Sequence, residues 1–409
     1  MATPGVRTTI LDRFYNLART DLPGSPLIAV IGKRSTAASS TAPDFMPYFP
    51  TSEQDVITYF GANSQLHKAY YELTTGGATY IALIPLPSNT VYNHSTAALT
   101  SATYPALNPF DEVFAAVETT RADIVVPWGR GSNTLDWDDV ATPATPGGND
   151  EYGFYADNSS TTTNSWLKKV ADKCADITAN SYPLIAVMGV KPFAGAETPT
   201  PSEISTGVSY SNLVDRNAFT TGSFVSVVAT EIRPLSAPSS WGWSNGACTY
   251  AALIARLQAW SAPTAKPVYN VDRLRWSPNR TQADTLGTKG LVTVQPDFTR
   301  LPRWVDATTF APTSSDYVRL STVRIVFDAV KLIRKVAQNY IGEGMSLQMR
   351  NAFETQISSS LRNMQQVGAV NSSDFRVQYA PSEYKAYIDL ALVPAAELRE
   401  VIVTISVNF

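Results

Sequence analysis

Short apolar runs separated by amphipathic helical stretches constrain this chain more than any other feature. "SPLIAVIG" (25–32) is a short strand of the fully buried kind. "SEQDVITYFG" (52–61) opens with Ser52 three residues before Asp55, an acidic variant of a helix cap. "SQLHKAYYELTTGG" (64–77) sets Leu66, Ala69, Tyr70 and Leu73 at helical spacing and stops at Gly76-Gly77. "ATYIALIPLP" (78–87) is again a strand. The rhythm resumes with the strand "ADIVVPWG" (122–129) and a helix over 165–183, with Trp166, Val170, Cys174 and Ile177 on one side. Strands "LIAVMGV" (184–190) and "SFVSVVATEIRP" (223–234), a helix over 245–260, and strands "KPVYN" (266–270) and "KGLVTVQP" (289–296) follow. This order predicts an α/β domain with a mixed, largely parallel sheet. The Pro-, Gly- and Ser/Thr-rich stretches 130–164 and 191–222 read as long loops or a small insertion.

The character changes after about residue 305. Two long amphipathic helices, 318–341 and 345–367, are joined by "GEG" and followed by strands "DFRVQY", "YIDLALVP" and "EVIVTISVNF" (400–409). In the last, Val401, Val403, Ile405, Val407 and Phe409 alternate with Thr404, Ser406 and Asn408, the period of a half-buried strand carried to the final residue. An apolar strand at a chain end is an aggregation hazard unless something pairs with it. Near the other end, "GVRTTI", with Val6, Thr8 and Ile10, is an isolated weak strand before the turn "DLPG". The expected organisation is an N-terminal arm (1–22), an α/β domain (23–305) with loops or a small insertion near 130–222, and a C-terminal α+β domain (306–409). That agrees with the two or three domains expected of 409 residues. There is no fixed-period repeat.

Composition narrows the function classes. Charged residues are 16%, against roughly 25% in ordinary soluble domains, while 44% are hydrophobic. A surface poor in charge is easy to bury against other protein, although an extracellular surface has the same polar, uncharged character. The net charge of −3 gives no global argument for nucleic acid or an anionic membrane. The first residues show no apolar signal-peptide region, and no stretch approaches 18 consecutive apolar residues. Cys174 and Cys248 are the only cysteines and are expected as buried free thiols, consistent with a reducing cytoplasm.

Catalytic constellations are missing from the sequence. It contains no G-x-x-x-x-G-K-[ST] and no G-x-S-x-G. "WGRGSN" carries Gly129 and Gly131 but lacks the third glycine of a dinucleotide fingerprint. His67 and His94, the two histidines, have no partners at metal-ligand spacing. Asp136, Asp138 and Asp139 in "LDWDDV" lack the Gly and Glu of a calcium loop and read as a solvated acidic turn. "VDRLRWSPNR" (271–280) mixes Arg with Trp276, which reads as a solvated or interfacial patch more readily than as a nucleic-acid platform. In the helix 318–341, Val323, Val326, Phe327, Val330, Ile333, Ala337 and Tyr340 form an apolar stripe. Arg324, Lys331 and Lys335 fall in a narrow arc opposite it, with Asp328 nearby and Arg319 and Arg334 adding positive charge. This is either an ordinary solvated face or a stripe for an acidic partner.

Taken together, the segments resemble the tail sheath proteins of contractile bacteriophages and related contractile injection systems. At the N-terminus, "TPGV", a strand ending "VIG", "SEQDVITYFG", "SQLHKAYYEL" and "GGATYIALIP" follow that family's order. In the middle, "NGACTYAALIARLQAWSAPTAKPV" (245–268) is similar to its small-residue helix and aromatic-x-Ala-Pro segment. At the C-terminus, "RIVFDAVKLIRKVAQNYIGE", "FETQISSSLRNMQQVGAV", "DFRVQY" and "EVIVTISV" match in order and spacing. The stretch 130–222 matches nothing in the family.

The resemblance implies a structural subunit without cofactor that polymerises as stacked hexameric rings around a tail tube and contracts to drive the tube through the host envelope. It implies that the two chain ends (Val6, Thr8, Ile10; Val401, Val403, Ile405, Val407) add strands to the C-terminal sheets of neighbouring subunits, a β-augmentation. It further implies an inward C-terminal domain with Arg324, Lys331 and Lys335 toward the tube. The implied partners are further copies of itself, the tube protein, and the baseplate and tail terminator proteins, with no direct nucleic acid or membrane. The place is the virion tail, and the host cytoplasm during assembly. The competing expectations are an enzyme on the α/β domain and another virion-surface or adhesin-like structural protein.

Overall fold

The structure is a computed structural model that describes residues 26–35, 42–93, 98–127, 166–189, 216–218, 220–297, 301–344, 346–380, 382, 385–395 and 397. Its centre is a six-stranded sheet built from β1 (Ile28–Lys33), β2 (Ile81–Leu86), β5 (Ile124–Pro127), β6 (Ile185–Gly189), β7 (Val225–Val228) and β10 (Leu291–Val292), in the order β10-β7-β6-β5-β1-β2. Every pairing in it is parallel. The expected mixture resolves into one wholly parallel sheet and separate two-stranded antiparallel ones: β3 (Thr90–Asn93) with β4 (Ala98–Ser101), β8 (Ile232–Pro234) with β9 (Val271–Leu274), β11 (Val294–Pro296) with β12 (Pro302–Trp304), and β13 (Val370–Ala380) with β14 (Lys385–Pro394).

Helices cover both faces of the large sheet, so its strands read as unbroken apolar runs instead of alternating ones. Ala29 and Ile31 of β1 and Ala82 and Ile84 of β2 look toward α3 (Pro109–Thr120) and α4 (Trp166–Asn180). The intervening Ile28, Val30, Ile81 and Leu83 look toward α1 (Glu53–Phe60), α2 (Gln65–Thr75) and α5 (Ala247–Arg256). Ser52 caps α1 by accepting from the Asp55 N–H, and Ser64 caps α2 by accepting from the His67 N–H. α2 ends at Gly76, and Gly77 turns the chain with φ +89, a conformation open to glycine.

The C-terminal unit has its own core. α7 (Leu320–Gln338) places Leu320, Val323 and Phe327 in the α/β core, and Ile325, Ala329 and Ile333 in a third cluster with Phe353, Ile357 and Leu361 of α8 (Leu347–Gln366). One helix therefore belongs to both units.

Three strand expectations need correction. Residues 223–234 do not form one strand: β7 ends in the parallel sheet, the chain turns a corner through Thr230 and Glu231, and β8 joins β9. Both corner residues are polar and buried, and Glu231 is held by Arg275 at 2.7 Å. A run of strand-forming residues carries no mark of that change of sheet. Residues 266–270 make a single bridge, Pro267 with Arg303, and the strand proper begins at Val271. Backbone bonds from Ala265 and Val268 to Trp304 and Pro302 and from Trp304 to Lys266 hold the segment beside β12, and Pro267, with no N–H to give, limits it to that bridge. Residues 289–296 split into β10 and β11 around Thr293. Two helices, α3 and α6 (Arg280–Thr288), are not among the elements expected from periodicity; Asn108 caps the first, and Asn279 with Gln282 forms a capping box on the second.

Candidate functional site: the C-terminal hairpin and the cationic helix

β13 and β14 form a long hairpin in register, with Phe375 opposite Leu390, Val377 opposite Ile388 and Arg376 opposite Asp389. Period-2 alternation sorts its faces. Phe375, Val377, Tyr379, Ile388, Leu390 and Leu392 pack on the α7–α8 cluster. Asp374, Arg376, Asp389, Tyr387 and Val393 face away, the last two 48% and 53% exposed. A lone two-stranded hairpin is marginal in water, and the two helices beneath give this one its buried face. Among the described residues neither outer edge is paired. Each presents a row of main-chain donors and acceptors, the chemical requirement for receiving another strand. The strands expected to supply it, with Val6, Thr8 and Ile10 or with Val401, Val403, Ile405 and Val407, lie outside the described residues.

The cationic stripe of α7 is corrected by the structure: its members do not share one open face. Arg324 is buried, and its guanidinium donates to the carbonyls of Ile254 (2.9 Å), Leu257 (2.6 Å) and Gln258 (3.1 Å). These oxygens cluster at and just past the C-terminus of α5, which ends without a glycine cap; Ile254 and Gln258 also accept from the Leu257 and Ser261 N–H groups. Burial brings the Arg324 pKa down to about 10, so it stays cationic at neutral pH, where it also meets the negative end of the α5 dipole. Lys331 reaches Asp123 at 2.5 Å and lies 5.3 Å over the Tyr182 ring. Burial alone would lower its pKa, but Asp123, Tyr182 and Asp328 outweigh that and hold it above the ordinary lysine value. Arg334 donates to Thr178 and Ser181 at the end of α4. Lys335 is exposed. α7 buries two apolar sides, Leu320, Val323 and Phe327 in one cluster and Ile325, Ala329 and Ile333 in another, and Arg324, Lys331 and Arg334 reach groups of the α/β core.

Asp123 is the residue that the sequence reading overlooked. It sits just before β5, accepts from the Leu27 N–H at 2.8 Å and the Tyr182 hydroxyl at 3.3 Å, and receives Lys331. The available signal was an acid directly ahead of a buried strand.

The other singled-out residues have structural partners. His67 Nδ1 accepts from the Asn63 N–H at 3.0 Å, which puts the proton of the neutral ring on Nε2, 2.9 Å from Glu53 Oε1. Cys174 and Cys248 are free and buried, their pKa values raised by burial and, for Cys248, also by Glu72. Arg275 is buried against Glu231 and Trp276 is 7% exposed, so that half of "VDRLRWSPNR" offers no stacking platform. His94, Gly129, Gly131, Asp136, Asp138 and Asp139 lie outside the described residues. Among the described residues no group of three His, Cys, Asp or Glu is placed to hold a metal ion, and no helix is long and apolar enough to cross a membrane.

No family model matches the sequence, and no curated protein matches it. Solved structures do. A chain of the six-fold symmetrised baseplate of the anti-feeding prophage aligns over 100% of both chains at 13% identity, with a TM-score of 0.62. The helical sheath of the same system in its contracted state aligns over 99% of both chains at 12% identity and 0.62. The sheath complex of the extracellular contractile injection system PVC, also contracted, covers 99% of this chain and 98% of its own at 12% identity and 0.60. A sheath tail protein from Listeria innocua covers 93% and 94% at 9% identity and 0.57. Over nearly its whole length, from the parallel α/β core to the C-terminal hairpin, this chain therefore has the fold of these contractile-system chains.

Proposed function

We propose that this chain is the structural subunit of a contractile tail sheath, polymerising as stacked hexameric rings around a tail tube and shortening to drive the tube through a host envelope. The observation that carries the reading is the full-length likeness to sheath chains of contractile systems, two of them in contracted states. The hairpin supports it independently: a two-stranded sheet backed by two helices, with neither outer edge paired among the described residues, suits strand addition from neighbours. In this reading, residues 1–22 and 400–409 are the donors, residues 23–305 are the α/β sheath domain, and residues 306–409 form the inner, polymer-forming domain. The partners are further copies, the tube protein, the baseplate and the tail terminator. Lys335, the exposed cation of α7, is the remaining candidate for the tube.

No nucleotide is needed for the work. Two packings of the same subunits differ in buried surface, and each interface contributes a little. At about 25 cal/mol per Å² of apolar surface, a few hundred Å² more per subunit supplies several kcal/mol. The test is deletion of residues 400–409 with negative-stain microscopy. The intact chain forms tubes or rings, and the truncated chain remains a soluble, folded monomer. Long tubes from the truncated chain would refute strand exchange, and discrete monomers from the intact chain under all assembly conditions would refute the sheath.

A further inference from the structure

The antiparallel β8–β9 pair sets two like charges side by side. Arg233 and Arg273 stand directly opposite each other in the antiparallel pair. Like charges in that relation destabilise a sheet. The adjacent pair, Ile232 and Leu274, turns the other way into the core. Arg273 is exposed and lies 5.2 Å over the Trp243 ring; nearby Arg256, also exposed, lies 4.9 Å over Tyr269. Asn270, next to Tyr269, has its carbonyl bound by the Leu235 N–H at 2.8 Å, just beyond the Pro234–Val271 pair, and Arg256 also donates to the Gly76 carbonyl at 3.2 Å. Leu235 and Tyr269 are 49% and 44% exposed. Glu231 is committed to Arg275, which leaves Asp272, in the strand bulge, as the exposed carboxylate of the β8–β9 pair. In a chain with 16% charged residues, guanidiniums held on aromatic faces beside apolar side chains form a preorganised receptor for carboxylates.

We propose that this arginine–aromatic face docks an acidic segment of a second copy of the chain. The sequence holds one that fits: Asp136, Asp138 and Asp139 flank Trp137, with Asp150 and Glu151 close behind. The contact is heterologous, one patch meeting a different patch, and such contacts propagate into rings or helical polymers instead of closing at a dimer. This use of the contact rests on the sheath reading; the docking chemistry does not.

The test therefore has two arms. In the first, a fluorescent peptide of residues 132–142 is titrated into the full-length chain and into Arg233→Glu/Arg273→Glu at low and high salt. Binding by the unmodified chain should be about tenfold tighter at low salt, as two exposed ion pairs allow, and the difference should fade at high salt. Equal binding by both proteins, or equal binding of a peptide with its three aspartates replaced by asparagine, overturns the proposal. In the second arm, the critical concentration for assembly should rise about tenfold in the arginine variant and in Asp136→Lys/Asp138→Lys/Asp139→Lys. Mixing the two variants should restore assembly, because alternating molecules then pair Asp with Arg at one contact and Lys with Glu at the next. Peptide binding without any polymer would sustain the docking and sink the sheath. Polymer formation unaffected by either variant, together with loss of oligonucleotide binding in the arginine variant, would replace the second copy with nucleic acid.

Discussion

Replacing Arg324 tests whether the cationic side of α7 is internal structure or an outward surface. Arg324→Met keeps much of the side chain's length and removes the guanidinium. Three hydrogen bonds, to the carbonyls of Ile254, Leu257 and Gln258, are then lost at a site where Arg324 is only 8% exposed; Ile254 keeps the Leu257 N–H and Gln258 the Ser261 N–H, so the Leu257 oxygen is the one most exposed to the loss. A hydrogen bond to a charged group contributes about 1.5–3 kcal/mol, and a buried polar group left unsatisfied costs about 1–3 kcal/mol. These losses overlap, and the methionine recovers some apolar contact, so the expected net loss is about 3–5 kcal/mol. Arg324→Lys supplies three donors without the planar fork and should lose less, about 1–2 kcal/mol. The assay is urea unfolding of the soluble chain, with the transitions of the α/β core and the C-terminal unit followed separately if they part. Both changes should persist at high salt, because the acceptors are buried carbonyls beyond the reach of ionic screening. They should also be flat from mildly acidic to mildly alkaline pH, since Arg324 titrates only near 10. Its folded pKa lies below its ordinary value, so any pH dependence it contributes is a gain of stability as pH rises past 10. A loss under about 1 kcal/mol for Arg324→Met, the range of a surface cation, would refute the reasoning.

Three further outcomes follow from the packing. Glu231→Ala strands Arg275 in the interior and should cost about 3–5 kcal/mol, whereas Glu231→Met/Arg275→Met should cost less than either single change; equal, additive losses in the double-mutant cycle would show the pair to be independent. Gly222→Ala would bring a Cβ to 2.1 Å from the Phe310 carbonyl oxygen and should destabilise by about 2–3 kcal/mol in thermal unfolding; a neutral result would mean that the 310 segment yields freely. Burial raises the Asp328 pKa above its ordinary 3.8 despite Lys331 and Arg324, so its stabilising contribution is complete below 3.8 and is lost as pH rises through the folded value. Asp328→Asn should accordingly raise Tm near neutral pH, with the gain shrinking in acid, and a gain that grew in acid would reverse the assignment.

Sequence alone determined where most of the local elements lie. β1, β2, β5 and β6 announce themselves because a parallel sheet covered on both faces needs apolar side chains at every position. Ser52, Ser64 and the Gly76-Gly77 pair mark helix ends because the unpaired groups there need short polar side chains or a reversed backbone. The α7 periodicity marked an amphipathic helix and part of its buried surface, Val323, Phe327 and Ile333, but not Ile325 and Ala329. What each side meets was left to the tertiary structure. Arg324, Lys331 and Arg334 look in sequence like a free stripe, yet they serve helix ends and an aspartate from 70, 208 and 153 to 156 residues away. Likewise, one strand-forming run at 223–234 supplies two different sheets, divided by a buried Glu231 whose partner lies 44 residues on. Periodicity records the geometry of one element about its own axis; hydrogen-bond partners distant in sequence are chosen only when the elements pack.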